Sequence, residues 1–398
     1  MKRLKTLIVI DNLKTGGVAS SLYNYLAFVH DKMDCHLLTF DEDSIDKDKI
    51  PNNVKIIKTQ SFLHILGKTQ REIQRDSKFF ALGRVIYTGL SKVKSGEFAR
   101  RFYWPFIHNV GDYDLAIAYA QDDAWKSLSK GCNEFIVKKV NAKFTAVMIH
   151  CDYRNFGGYN ANQEKAYSQL DAIICVSESC KKSFIQCFPT LENKVITCEN
   201  FINVADVQQK ALEAIEYNKS IFNFVSVCRI STVKGLERTV NAFICLKSNG
   251  VLNYTWTIVG DGPLRGKLES MVKIAGLENR IRFVGNKENP YPYIKNADAF
   301  LLPSLHEAAP MVFGESAALG VPIVCSDTCS AQELVSQRGL GIVFDNNEKS
   351  LYDTLYNILK QNVTLIKNNV KPSMINVGAE KQFAAFVDFV QKRILDFK

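Results

Sequence analysis

The sequence predicts an α/β protein built from two doubly wound parallel-sheet domains that face each other across a cleft. Short apolar runs rich in β-branched residues alternate with segments of helical period along the 398 residues, and such alternation is typical of βαβ units. The alternation forms two series, separated by the stretch 200–220, which lacks strand character. A chain of this length is also more typical of two domains than of one.

The first series contains helical segments such as Val18–His30 and Glu178–Cys187 between its predicted strands. The N-terminal apolar run is predicted to be a strand and not a secretion signal, because it is only about seven residues long and Asp-Asn follows it. The predicted strands of this series are Leu4–Ile10, Cys35–Phe40, Leu115–Ala120, Lys143–Ile149, Ala172–Val176 and Lys194–Cys198.

The second series has helical segments such as Leu236–Asn249 and Pro263–Ala275. The last segment, 378–398, has apolar residues at helical spacing and no strand after it. We therefore predict one domain over 1–205 and a second over 206–377. The predicted strands of the second series are Phe222–Cys228, Thr255–Val259, Ile281–Val284, Ala299–Leu302, Ile323–Cys325 and Gly341–Phe344.

The overall composition is that of a soluble globular protein, with 46% hydrophobic and 23% charged residues. No apolar run approaches the roughly 20 residues of a membrane span. The eleven cysteines are scattered, odd in number and without a CxxC motif. This pattern argues against a disulfide framework or a zinc knuckle, and it indicates a reducing, cytoplasmic compartment.

The formal net charge of +9 could serve a nucleic acid, an anionic membrane or a polyanionic substrate. Much of the excess lies in the stretch 63–103, where cations and apolar residues interleave as in a basic amphipathic helix. Two interpretations stay open, a solvated helix face over a core and docking on an anionic membrane surface. Nucleic acid is not expected, because no recognised binding motif accompanies the stretch. The cations are Lys68, Arg71, Arg75, Lys78, Arg84, Lys92, Lys94, Arg100 and Arg101.

Loops that follow strands are the candidate sites, because ligands of open α/β sheets bind beyond the carboxyl ends of the strands. In the first such loop, Gly16 and Gly17 precede a predicted helix, which would allow an anion to approach the helix N-terminus. A tight turn that needs glycine is the alternative. The loop is not GxGxxG and has no acid placed for a ribose, so NAD binding is disfavoured.

Two further loops carry cations or a histidine. Arg229 and Lys234 follow a predicted strand and flank a helix start, an arrangement that suits a diphosphate, although solvated loop cations would give the same pattern. His150 closes another strand and could bond a ligand hydroxyl or act as an acid or base near neutral pH. An ordinary satisfied polar residue is the alternative for His150.

The fourth loop follows the predicted strand Ala299–Leu302 and carries Glu307. Pro310 fits the first turn of a helix that begins near Met311, so Glu307 lies before the helix and Glu315 on it. The first-turn N–H groups would point outward as anion donors. Two carboxylates beside a helix N-terminus suit a nucleotide-sugar. The alternative is a solvated Glu307 and a locally paired Glu315.

These residues resemble the GT-B glycosyltransferases, in particular the retaining family numbered four. That family has two glutamates with seven residues between them, here Glu307 and Glu315, followed by an Ala-rich helix and Gly-x-Pro, here "SAALGVP". The sequence departs from the pattern at Ala308 and Ala309, where the family has Gly or a bulkier residue. The other matching segments are "CRISTVKG", "IVGDGPLRGKLE", "IRFVGN", "ADAFLLPSLHEAAP" and "SAQELV".

The resemblance implies a role for each matched residue. Arg229 and Lys234 would bind the donor diphosphate and stabilise charge on the departing nucleotide, and His150 would lie near the sugar or the acceptor hydroxyl. Glu307 would contact the donor hexose, and Glu315 would take the ribose hydroxyls. The further donor-binding residues would be Gly16 and Gly17, which let the N-terminal domain close over the phosphates, Gly285 and Lys287, which flank the base, and Pro310, Met311 and Val312 through their backbone.

The implied activity is transfer of a hexose or N-acetylhexosamine, with retention, from a nucleotide-diphosphate sugar to a hydroxyl of a saccharide or lipid-linked saccharide. A UDP-sugar is favoured over a GDP-sugar as the donor, and no metal or other cofactor is expected. The enzyme would act in the synthesis of a bacterial capsule, exopolysaccharide or lipopolysaccharide. The final helix, 378–398, would pack back on the N-terminal domain. The alternatives are a sugar-nucleotide epimerase or hydrolase of the same fold, and a non-catalytic partner subunit.

Overall fold

The chain divides into two compact units. The first unit comprises Met1–Phe201 with Gly378–Lys398, and the second comprises Ile202–Val377. Each unit is built on its own sheet, and every strand pairing in both sheets is parallel. The computed structural model describes residues 3–14, 16–122, 131–157, 159–215, 217–360 and 374–396.

The first unit has a 7-stranded sheet in the order β3-β2-β1-β4-β5-β6-β7. The order reverses between β1 and β4, which is the topological switch point of a doubly wound sheet. The strands carry long buried apolar runs because helices cover both faces of such a sheet. They are β1 Lys5–Ile10, β2 Asp34–Thr39, β3 Lys55–Ile56, β4 Asp112–Ala118, β5 Asn141–Ile149, β6 Ala172–Cys175 and β7 Val195–Thr197.

The helices of the first unit include a C-terminal helix that arrives from the far end of the chain. Phe383 on this helix meets the rings of Tyr25 and Phe28 at centroid distances of 6.1 and 5.5 Å, which explains why the segment groups with the first unit. The helices are α1 Gly17–Val29, α2 His64–Gly67, α3 Gln70–Asp76, α4 Lys78–Val93, α5 Gly96–Arg100, α6 Cys132–Lys139, α7 Tyr153–Phe156, α8 Ala161–Ser168, α9 Glu178–Cys187 and, at the C-terminus, α16 Val377–Asp396.

The second unit has a 6-stranded sheet in the order β10-β9-β8-β11-β12-β13, with its switch point between β8 and β11. Trp256 and Phe243 pack at 5.3 Å in the core on one side of this sheet. The strands are β8 Phe222–Val227, β9 Tyr254–Val259, β10 Ile281–Gly285, β11 Ala299–Leu302, β12 Ile323–Ser326 and β13 Gly341–Phe344. The helices are α10 Val204–Lys210, α11 Leu236–Ser248, α12 Arg265–Ile274, α13 Tyr291–Asn296, α14 Met311–Ala318 and α15 Glu348–Lys360.

Each predicted strand is present, and the predicted fold class is confirmed. The edge strand β3 was not predicted, because it has only two residues and both are exposed. The boundary lies at 201/202 and not at 205/206, because Ile202 packs with Val207, Met311 and Ala318 of the second unit. Residues 397–398 of the predicted final helix lie outside the described residues.

No helix in the described parts of the chain combines the length and the apolar character that a membrane crossing requires.

Candidate active site

Two loops of the second unit leave the sheet at neighbouring strands. β11 pairs with β8 in parallel, with Ala299 opposite Phe224, so the loops that follow these strands begin at the same edge of the sheet. The backbone N–H of Leu305 donates to the carbonyl oxygen of Val233 at 2.7 Å. The switch point therefore brings together the two loops that carry the predicted cations and the first predicted glutamate.

Lys234 and Glu307 form an ion pair across these loops. The Lys234 ammonium lies 2.5 Å from Oε1 of Glu307, and their side chains are only 24% and 12% exposed. The hydroxyl of Ser304, which is fully buried, donates to the same oxygen at 2.6 Å. Because an ammonium has three donors, Lys234 can keep this partner and still offer hydrogens to an anionic ligand.

Gly235 permits the close approach of the two loops. Its φ is +64°, a left-handed conformation, and a Cβ at this position would lie 2.0 Å from the carbonyl oxygen of Pro303. No side chain fits in that space, and the left-handed conformation is itself unfavourable for other residues. The glycine after Lys234 is thus required by the approach of the Pro303 carbonyl.

Arg238, which was not predicted from the sequence, binds the loop that follows β11. Its guanidinium is buried and donates to the carbonyl oxygen of Pro303 at 2.7 Å and to Oδ1 of Asn346 at 2.7 Å. Burial lowers the pKa of this guanidinium. In the sequence Arg238 resembles any surface cation of a helix, because the carbonyls that it binds come from segments more than sixty residues away in the chain.

The backbone around Arg229 is fixed by two glycines of the loop after β9. A Cβ at Gly260 would lie 2.0 Å from the carbonyl oxygen of Cys228, and one at Gly262 would lie 2.3 Å from that of Ile230. The N–H of Ile230 also donates to the carbonyl oxygen of Asp261 at 2.9 Å. The backbone on both sides of Arg229 is therefore fixed, whereas Arg229 itself is exposed to solvent.

The loop after β10 contains the residues that were predicted to flank the base. Gly285 ends the strand with φ +75°, and its carbonyl oxygen accepts from the N–H of Gly260 at 2.9 Å. Lys287 follows two positions later and is exposed. The backbone bond joins this loop to the one beneath Arg229.

Helix α14 begins where the sequence predicted. Pro310 occupies the position before the helix with φ −63° and ψ 131°, and Met311 is the first helical residue. The N–H groups of a first helical turn have no intrahelical acceptor and carry the positive end of the helix dipole. The N–H groups of Met311 and Val312 are thus only a few residues after Glu307 in the chain.

The two glutamates occupy different environments, as predicted. Glu307 lies before the helix in the ion pair, whereas Glu315 lies within α14 and is buried. Burial raises the pKa of Glu315 to about 7, although a hydrogen bond with Tyr291 opposes the shift. Tyr291, on α13, was not singled out from the sequence. A carboxyl with this pKa exchanges its proton near neutral pH.

The first unit contains the remaining predicted residues. His150 follows β5, and its Nε2 lies 3.1 Å from the carbonyl oxygen of Tyr119. Because a carbonyl only accepts, Nε2 carries the hydrogen in this contact. Gly16 and Gly17 are exposed at the start of α1, and a Cβ at either would meet no atom within 4 Å. Close packing therefore does not account for these two glycines.

Comparisons with known proteins bear first on the second unit. Residues 208–371 match the model of the family Glycosyl transferases group 1. The chain is 29% identical over 196 residues to the N-acetylgalactosamine-N,N'-diacetylbacillosaminyl-diphospho-undecaprenol 4-alpha-N-acetylgalactosaminyltransferase of Campylobacter jejuni. This alignment covers 49% of this chain and 52% of the relative. The chain is 34% identical over 125 residues to the amylovoran biosynthesis glycosyltransferase AmsK of Erwinia amylovora, which covers 29% and 30%. These alignments span about half, or less, of the relatives' lengths.

Solved structures resemble the whole chain. Anabaena HepE in complex with UDP aligns with a TM-score of 0.66 at 14% identity, over 98% of this chain and 100% of that one. S. aureus TarM in complex with fondaparinux, alpha-GlcNAc-glycerol and UDP aligns with a TM-score of 0.67 at 12% identity, over 97% and 100%. At these identities the likeness establishes architecture. The chain therefore has the two Rossmann-like units of the GT-B fold, and its second unit matches the group 1 glycosyltransferases.

Proposed function

We propose that this protein is a glycosyltransferase. It would move a hexose or N-acetylhexosamine from a nucleotide-diphosphate sugar, preferably a UDP-sugar, to a hydroxyl of a saccharide or lipid-linked saccharide. The setting would be bacterial capsule, exopolysaccharide or lipopolysaccharide synthesis in the cytoplasm, on the inner face of the membrane. The matched relatives support the setting, since one is named for amylovoran and another, from Rhizobium meliloti, for the lipopolysaccharide core.

The observation that carries the proposal is the Lys234–Glu307 pair at the sheet switch point, a few residues before the start of α14. A cation held at one oxygen of a fixed carboxylate, with helix N–H groups following in the chain, suits a ligand that joins a phosphate to a sugar. Solved relatives of this fold contain UDP or UDP-glucose. The same ligand class is therefore the one we assign to the second unit.

In the proposed reaction, the acceptor oxygen forms a bond to the anomeric carbon of the donor sugar. The bond from that carbon to the diphosphate oxygen breaks, and its electron pair leaves with the nucleotide diphosphate. Arg229, Lys234 and the first-turn amides of α14 stabilise the charge that builds there, which is electrostatic catalysis without a metal. Retention follows when the acceptor attacks from the leaving-group face and passes its proton to the departing oxygen.

The two acids are assigned to the two sugars of the donor. Glu307, oriented by Ser304 and Lys234, would accept from hydroxyls of the transferred hexose. Glu315, with Tyr291 beside it, would bond the ribose hydroxyls. His150 would act on the side of the acceptor hydroxyl, and Gly285 with Lys287 would flank the base.

A donor panel tests this function. We expect UDP, and UDP-sugars more than GDP-sugars, to raise the melting temperature and to be turned over slowly to free sugar. Lys234→Ala is expected to abolish the shift, whereas the control Lys273→Ala, an exposed lysine of α12, is expected to keep it. Absence of any nucleotide shift would favour a non-catalytic subunit. Turnover that never transfers sugar to an acceptor panel would favour an epimerase or hydrolase.

A further inference from the structure

Helix α4 presents apolar side chains to solvent. Residues 78, 79, 82, 85, 86, 89, 92 and 93 are all exposed, and at roughly 100° per residue they fill an arc of about 140° on one side of the helix. We call this arc the outer face of α4. Its apolar members, between 51% and 76% exposed, are Phe79, Leu82, Val85, Ile86 and Val93.

The opposite side of α4 is fixed in the protein. Arg84 is buried and donates to the carbonyl oxygen of Ile65. The hydroxyl of Tyr103 donates to the carbonyl oxygen of Gly83 at 2.6 Å, and its ring meets buried Tyr87 at 5.8 Å. Rotation of the helix to hide the outer face would break these contacts, so the apolar side chains stay exposed in the folded unit.

The apolar surface continues beyond the helix through a chain of aromatic rings. Phe79 meets Phe80 at 5.3 Å, Phe80 meets Phe62 at 5.3 Å, and Phe62 stacks on Phe106 at 5.0 Å. Phe106 is itself 58% exposed. A continuous patch of this kind, unlike single scattered apolar residues, marks a surface that binds something.

In the basic stretch 63–103, three of the cations point into the protein and are therefore not available to a ligand outside it. Lys68 is buried and pairs with the exposed carboxylates of Asp43 and Asp76, Arg100 pairs with Glu134, and Arg84 binds backbone. The charge that the outer face can offer comes from its own two lysines, Lys78 and Lys92, and the face contains no acid.

We propose that the outer face of α4, together with Phe106, inserts into an anionic membrane interface. Apolar side chains would enter the boundary of the acyl region while Lys78 and Lys92 meet lipid phosphates, since long lysine side chains extend their charge toward the headgroups. A second copy of the chain is a poorer occupant, because face-to-face pairing would bury the lysines of both copies without an acid. This proposal does not rest on the proposed glycosyl transfer.

Vesicle sedimentation tests the proposal. We expect the protein to bind phosphatidylcholine vesicles that contain phosphatidylglycerol, and to bind pure phosphatidylcholine more weakly. Leu82→Asp with Ile86→Asp is expected to weaken binding more than tenfold, whereas Ile274→Asp, at a still more exposed helical position of α12, is expected to have no effect. Lys78→Ala and Lys92→Ala are each expected to weaken binding about fivefold at low salt, with Lys273→Ala as their control.

Each alternative has its own result. Equal vesicle binding by the wild type and the aspartate double variant, with melting temperatures matched to that of Ile274→Asp, would overturn the proposal. If the wild type binds neither vesicle type but forms a dimer, and the double variant does not dimerise, the outer face would be assigned to a second copy of the chain. Nucleotide-induced thermal shifts report on the second unit separately, so failure of the proposed glycosyl transfer is distinguishable from failure of membrane binding.

Discussion

Replacement of Gly235 by alanine is the sharpest test of how the candidate site is held. The new methyl group would lie 2.0 Å from the carbonyl oxygen of Pro303, so the two loops must separate by more than an ångström to reach ordinary contact. A left-handed conformation costs a non-glycine residue about 1–2 kcal/mol, and forced overpacking costs typically 1–3 kcal/mol more. The expected total is a loss of about 2–5 kcal/mol of unfolding free energy.

The chain supplies a matched control for the conformational part of that cost. Gly339 has φ +65°, against +64° for Gly235, and a Cβ there would meet no atom within 4 Å. Chemical denaturation should therefore show Gly339→Ala losing only the left-handed cost, with Gly235→Ala about 1–3 kcal/mol less stable than this control. Donor-induced thermal shifts should shrink in Gly235→Ala alone. Equal stability and equal shifts in the two variants would refute the loop-contact argument.

Four further substitutions address individual side chains. Lys234→Ala and Glu307→Ala should each lower kcat by orders of magnitude while the fold is kept by circular dichroism; near wild-type turnover in both would refute the assigned site. Arg238→Lys keeps the charge but loses the planar fork, so we expect a loss of about 1–3 kcal/mol in denaturation, and an unchanged midpoint would contradict the carbonyl contacts. In the folded protein the pKa of Glu315 is about 7, above its ordinary value of 4.5, so the free energy of unfolding is highest at low pH and falls between about pH 4.5 and 7 as the carboxyl loses its proton. Glu315→Gln should remove this fall, since glutamine does not titrate. Equal pH profiles of stability in the two proteins would contradict the argument.

The sheet strands were predictable because of what parallel sheets bury. A strand covered by helices on both faces reads as a short continuous apolar run, and β11 Ala299–Leu302, buried at each of its positions, is such a run. The edge strand β3 carries no such run, since Lys55 and Ile56 are both exposed. Burial decides which strands the sequence reveals.

The site was predictable where a residue acts from the loop that carries it. Lys234 and Glu307 each lie in the loop that follows a strand, and the neighbouring positions of β8 and β11 in the sheet bring them to 2.5 Å. Arg238 could not be found in this way, because it acts on backbone carbonyls of a distant segment. Local pattern therefore identifies groups that would face a ligand, but not the groups that position them.

The outer face of α4 illustrates a different limit. Helical spacing predicted an amphipathic segment correctly, but it left open which side faces the protein. Tertiary contacts place Tyr87 and Arg84 on the side of α4 that faces the protein, because Tyr87 meets the ring of Tyr103 and Arg84 donates to a backbone carbonyl. Leu82 and Ile86 therefore face the solvent. A sequence gives the period of a helix, whereas its rotation depends on the residues that other segments bring to it.

The contacts that position the candidate site share one chemical feature, which is their use of backbone carbonyls. Gly235 admits the carbonyl of Pro303, Arg238 binds that same carbonyl, and Gly260 admits the carbonyl of Cys228. Backbone groups cannot change rotamer, so loops held through them keep their place when side chains at the site exchange partners. In the proposed reaction, Lys234 would offer its remaining hydrogens to a phosphate while it keeps Glu307, and the loops would stay in place, which is the preorganisation that electrostatic stabilisation of a leaving group requires.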